Sequence, residues 1–302
     1  MSVIKRFLAA ATMLLPPTLL AQNLGPRDVD ALPATKPTAI LAYGTAPLQV
    51  GELRLPEGKG PFPVAVVIHG GCWTKGLATM QNTGPIASDL TRNGVATWNI
   101  EYRQIGDDGG AWPGTFLDWG AAVDDLRTLA KTYPLDLSRV VVVGHSAGAH
   151  AALWLAARHR LPADSEIRGA DPLPIKAAVA LDGPCDLIGF VGMDEEIWGM
   201  RAVVPLMGGT PAEQPARYAQ ASPQALLPLG VSQFLISANP LNAAKAAEYQ
   251  KLARAKGDHV DVLTIDTGHF ELIAPGNDAW TSVKRVILDQ AFGQVLGPGS
   301  VK

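Results

Sequence analysis

Basic runs are scarce in this 302-residue chain. None is longer than Lys5-Arg6, and 25 Lys and Arg stand against 28 Asp and Glu, a net charge of −3. With no stripe to neutralise a phosphate backbone, nucleic acid is excluded as a partner. Cysteine is nearly absent: Cys72 and Cys185 are the only two, too few and too far apart for a zinc site. They can form a bridge or remain two unpaired small hydrophobes. Charged residues make up 18% against 47% hydrophobic, a balance too apolar for disorder. The glycines and prolines follow no period, which removes collagen-like and low-complexity architectures. What remains is a globular chain, long enough for one large α/β domain or two small ones. No internal repeat is visible.

Long apolar runs are missing too. The opening segment MSVIKRFLAAATMLLPPTLLA carries Lys5 and Arg6, an apolar stretch from Phe7 to Leu15, and the breakers Pro16-Pro17. It is too short to cross a bilayer unaided. It reads as a secretory signal over residues 1–21, cut near Ala21–Gln22; an uncleaved anchor or a buried first helix is the alternative. No later segment reaches spanning length, so the mature protein is expected to be exported, with no membrane span. The oligomeric state is not legible.

Residues 22–37 lack periodicity and read as a surface lead-in to a domain over residues 38–295. Thr38–Tyr43 and Leu48–Leu55 suggest an opening antiparallel pair. Pro63–Ile68, Val140–Val143 and Ala177–Leu181 are continuous apolar runs of the kind a parallel sheet buries on both faces. Val95–Tyr102, Val231–Ser237 and Val260–Ile265 supply further strands. Helical spacing marks Ala78–Asn93, Thr115–Thr132, Ala147–Arg158, Ala243–Lys256 and Ala279–Phe292. Such alternation predicts an α/β fold, a mostly parallel sheet of about eight strands with helices on both faces. Between residues 184 and 228 the alternation lapses, which suggests a small cap insertion over a ligand crevice.

Gly144-His145-Ser146-Ala147-Gly148 is the informative pentapeptide. It follows a buried strand and opens a helix, the setting a nucleophile elbow requires. Glycine on either side removes the Cβ clashes of so tight a turn, and the helix N-terminus aims free N–H groups at a developing oxyanion. The second element, His69-Gly70-Gly71-Cys72-Trp73, follows the strand PVAVVI. Its glycines let backbone approach a substrate carbonyl, so the Gly71 or Cys72 amide can join that of Ala147 as an oxyanion hole. His69 and His145 sit inside these motifs, where they are expected to hold loop backbone rather than move protons.

With both motifs in this order, the chain resembles the α/β-hydrolase superfamily on its HGG-containing esterase branch. It is similar to carboxylesterases, kynurenine formamidases and BD-FAE-like hydrolases. The resemblance runs from about Val50 to Ala274 and includes WNIEYR (Trp98–Arg103) and GHF (Gly268–Phe270). It implies an α/β-hydrolase fold, Ser146 as nucleophile and His269 as base, a small-molecule ester substrate, and no metal or organic cofactor. The position of His269, a short loop after the last strand, brings it independently to the same sheet edge. The acid departs from the pattern. The family places an aspartate after the seventh strand, where this chain reads Ser237-Ala238-Asn239-Pro240-Leu241-Asn242. Asp182, ending the sixth strand, is the preferred replacement, because some α/β-hydrolases carry their acid there. Asp266, three residues from His269, Asp186, four residues past Asp182, and a lost acid are the alternatives. Trp73 and Trp198 fall in loops where they could bind an apolar group of the substrate, or equally pack the cap. A formamidase, an exopeptidase of the same fold, or a non-catalytic relative are the rival readings.

Overall fold

The computed structural model describes residues 23–238 and 240–293. The expected secretory signal lies outside the described residues. Among those residues no helix is long and apolar enough to cross a membrane.

Eight strands form one sheet: β1 Ala39–Ala42, β2 Val50–Arg54, β3 Phe62–Ile68, β4 Ala96–Ile100, β5 Leu135–His145, β6 Ala177–Leu181, β7 Ser232–Ser237 and β8 Val260–Thr264. Their spatial order is β1-β2-β4-β3-β5-β6-β7-β8. β1 and β2 run antiparallel, β2 meets β4 antiparallel, and every later pair is parallel. This is the architecture of the α/β-hydrolase fold.

The four valines of β5 show why the sheet is central. Val140 and Val142 enter one core with Trp119 and Trp154, whereas Val141 and Val143 enter the other with Leu90 and Trp280. Side chains alternate across a strand, so a run apolar at every position suits only a strand covered on both faces. The helix Gly114–Asp124 and the wholly buried helix Ala147–Ala157 cover one face; Gly84–Arg92 and Asp278–Arg285 cover the other.

Several boundaries differ from the sequence reading. β5 begins at Leu135 rather than Val140, its register against β3 shifting between Pro63 and Val64. The helix expected over residues 115–132 divides into Gly114–Asp124 and Leu126–Leu129, with Asp125 still in the right-handed region. The lead-in is not featureless: Pro26–Asp30 is a short helix, its first turn tied by the Gly25 amide on Asp28 Oδ2 (2.8 Å), with Val29 buried in the second core. Its Pro26 fits the first turn, where the missing N–H costs nothing.

Residues 184–228 hold three short α-helices, Met193–Trp198, Val203–Met207 and Pro215–Ala221, and a 3-10 turn at Pro223–Leu226. They are bonded to the body. His150 and Trp154, on the helix after the elbow, donate to the carbonyls of Ala221 (2.8 Å) and Gln220 (3.0 Å). Asp194 ties the segment internally, accepting the amides of Gly192 and Glu195 on Oδ1 and those of Ala202 and Val203 on Oδ2.

Candidate active site

The carboxyl ends of β3, β5, β6 and the β8 loop converge around Ser146. The serine directly follows β5 and caps the helix Ala147–Ala157 with φ 56° and ψ −119°. A non-glycine residue held there costs about 1–3 kcal/mol and persists only where its surroundings over-determine it. Here they do. A Cβ at Gly144 would lie 1.8 Å from the Gly148 carbonyl, and one at Gly148 would lie 2.2 Å from that of Ile68. Both flanking glycines therefore answer to space rather than to torsion. The Ser146 amide donates to Leu181 at the end of β6 (2.8 Å), stitching the turn to the neighbouring strand.

Asp182 follows Leu181 directly, in the left-handed region at φ 51°. Its Oδ2 lies 2.7 Å from His269 Nδ1, and its Oδ1 accepts the Ala238 amide and Asn242 Nδ2, each at 3.0 Å. Burial raises the carboxyl's pKa, but the hydrogen bond and charge of His269, with the Asn242 and Ala238 donors, outweigh it and hold Asp182 below the ordinary carboxylate value. Neither alternative acid occupies this position. Asp266 is exposed; Asp186 accepts Ser222 Oγ, Gln224 Nε2 and the Ile188 and Gly189 amides, a role in holding its own loop.

His145 joins the elbow to the histidine loop. Its Nε2 lies 3.0 Å from the His269 carbonyl, and the two rings stand 4.3 Å apart. A carbonyl only accepts, so Nε2 carries the proton. Burial, then the neighbouring His269, pushes its pKa down to about 3. The ring beside His269 is thus neutral in ordinary buffers. On the far side of the loop, Glu271 Oε1 accepts the Leu24 amide (2.7 Å), so the lead-in also braces it.

The HGG segment passes over the serine. A Cβ at Gly70 would sit 2.8 Å from Ser146 Cβ and 3.4 Å from its Oγ. Gly71, Cys72 and Trp73 then turn consecutively through positive φ, at 93°, 50° and 53°, and the turn closes with the Thr74 amide on Gly71 O (2.8 Å). The Ala147 amide opens the adjoining helix. Gly70 is thus the glycine in direct contact with the serine, a closeness its identity alone did not signal.

Of the two tryptophans expected to face a substrate, Trp73 requires correction. It is 0% exposed, packed edge-on against His150 (5.5 Å between centroids) and Trp198 (6.2 Å); a side chain with no surface supports the turn from beneath. Trp198 is half-buried and also rests on Phe190. Cys72 and Cys185 are free thiols, and burial pushes both up to about 12. No group of ligating side chains able to hold a metal exists among the described residues.

The BD-FAE family model matches residues 52–238, more than half of the chain. The chain belongs to the BD-FAE family. That is an α/β-hydrolase-type esterase family, whose enzymes are of the serine-hydrolase kind. No curated protein matches the sequence. Solved structures share the fold at low identity. A truncated carbohydrate esterase from gut microbiota is 18% identical, with 83% of this chain and 95% of that one aligned at a TM-score of 0.70. Esterase B from Lactobacillus rhamnosis is 16% identical, with 88% and 89% aligned at 0.71. Thermogutta terrifontis esterase 2, phosphoramylated by tabun, is 13% identical, with 85% and 96% aligned at 0.65.

Proposed function

We propose that this BD-FAE protein is a serine carboxylesterase working through an acyl-enzyme, with Ser146 as nucleophile, His269 as base and Asp182 as the acid. The reading is carried by the 2.7 Å contact between His269 Nδ1 and Asp182 Oδ2 beside an elbow serine. The carboxylate holds the proton on Nδ1 and leaves the Nε2 lone pair to receive the Ser146 proton as the hydroxyl attacks. The Ala147 amide, with that of Gly71 or Cys72, receives the tetrahedral oxyanion. The imidazolium then returns its proton to the leaving alcohol, and water clears the acyl-enzyme by the same route in reverse. The neutral ring of His145 adds no opposing charge to that imidazolium.

The Asp182 carboxylate on His269 supports this reading over a non-catalytic one, which rested on a missing acid. The tabun adduct of the Thermogutta esterase points to the same class of probe here. A fluorophosphonate should modify Ser146, located by peptide mass spectrometry, and Ser146→Ala should abolish p-nitrophenyl acetate turnover. An unmodified Ser146 in a folded, full-length protein overturns the assignment. Turnover of a dipeptide anilide or a formamide above that of the ester would reassign the substrate class. Export through residues 1–21 and a cap over residues 184–228 belong to the same proposal; a mature N-terminus at Gln22 is the expected finding for the first.

A further inference from the structure

A second buried histidine–carboxylate couple lies under the HGG turn, and the proposed esterase mechanism gives it no role. His69 is 0% exposed. Its Nδ1 lies 2.9 Å from the Gly70 carbonyl and its Nε2 2.7 Å from Glu101 Oε1. Glu101 also accepts the Tyr102 amide on Oε1 (3.0 Å) and the Met80 amide on Oε2 (3.1 Å). The Tyr102 ring stacks on His69 at 4.4 Å, and its hydroxyl reaches the carbonyls of His69 (3.1 Å) and Gly70 (3.2 Å).

Two consequences follow from these partners. Both ring nitrogens face acceptors, and a carbonyl can never donate, so Nδ1 must carry a proton. Glu101, itself held by the Tyr102 and Met80 amides, braces the ring from its Nε2 side. Secondly, the Gly70 carbonyl takes donors from both His69 and Tyr102 and is pinned toward them. The Gly70–Gly71 peptide is trans, since among the described residues only the bonds before Pro61, Pro113 and Pro228 are cis. A trans peptide directs its N–H opposite to its C=O, and Gly70 is the residue pressed against Ser146.

We propose that His69, braced by Glu101, and Tyr102 are positioning residues that pin the Gly70 carbonyl and so turn the Gly71 amide toward the oxyanion. This rests on the serine-esterase reading of Ser146. The couple presets the peptide before substrate arrives, so the amide that meets the negative charge needs no reorientation. Such an effect is felt as charge develops in the transition state and little in the ground state.

The proposal is tested on the full-length protein by two readouts. In 15N-labelled enzyme, His69 should give a downfield Nδ1–H proton, hydrogen-bonded to the Gly70 carbonyl, that vanishes in His69→Gln; an Nδ1 without a proton overturns the contact on which the positioning rests. In kinetics with p-nitrophenyl acetate, Tyr102→Phe and Glu101→Gln should lower kcat by about 10- to 100-fold, short of the ~10²–10³ cost of deleting an oxyanion donor outright. KM should stay within about twofold, and the His269 Nδ1–H resonance should be unmoved. Unchanged kcat, or a loss residing wholly in KM, overturns the positioning role. Fluorophosphonate labelling of the wild type keeps the two readings apart. No label on Ser146 removes the esterase reading itself, whereas labelled wild type with fully active variants removes only the role given to His69.

Discussion

Asn242 donates to Asp182 Oδ1 from the first turn of the helix Pro240–Ala255. The helix starts where the family pattern expects its acid, and the residue there is an amide that serves the carboxylate one strand away. Converting Asp182 to Asn should reduce kcat by about 10³- to 10⁴-fold, because the imidazole loses both its tautomer and its counter-charge.

Asn242→Leu should act on the same carboxylate indirectly. It removes a donor that holds Asp182 low, so the acid limb of the kcat/KM profile should move to higher pH. An unchanged acid limb would show that Asn242 only packs.

The elbow glycines should prove intolerant for steric reasons. Gly144→Ala and Gly148→Ala drive a Cβ into backbone oxygens at 1.8 and 2.2 Å, which no rotamer relieves. Each should cost upwards of ~2 kcal/mol in urea unfolding, a range reached by overpacking. Gly230, whose Cβ would meet nothing within 4 Å but whose φ is 76°, should lose less on the same change.

Stability should decline as pH falls below about 6.5. Burial pushes His145 down to about 3 and His150 to about 4, so the folded form leaves both rings neutral where the unfolded chain protonates them. The unfolded state then binds more protons, and the unfolding free energy rises with pH across that window. Two sites give a slope of up to about 2.7 kcal/mol per pH unit. His150→Leu should remove about half of it, as read from urea midpoints at pH 5.0, 5.5 and 6.0.

The two tryptophans should separate stability from selectivity. Trp73→Ala empties a filled site in the first core and should cost about 3–5 kcal/mol. Trp198→Ala should leave the melting temperature closer to wild type and change the ratio of kcat/KM between acetate and hexanoate esters. Equal ratios in variant and wild type would deny Trp198 a place against the substrate.

The sheet was legible because its strands are apolar at consecutive positions, a pattern tied to burial on both faces. The tight turn that holds Ser146 was legible from the motif around it, and the loop that carries His269 from the strand before it. Asp182 was narrowed but not decided, since spacing along the chain does not say which of two neighbouring strand ends lies behind an imidazole. Asn242 escaped notice as a supporting donor because amides carry no signature of their own; the only sign was the absence of a carboxylate where one was expected. Trp73 misled because a bulky aromatic in a loop can point either way, and here it packs inward against His150 and Trp198.

At Gly183 an added Cβ would lie 2.0 Å from the Ser146 carbonyl and 2.8 Å from Ala149 Cβ. The chain that leaves Asp182 is therefore wedged against the peptide that leaves Ser146, with no slack for one to travel without the other. Whatever breathing admits a bulky ester must come from the surrounding loops, and directed evolution toward larger substrates should find its gains there while residue 183 stays as it is.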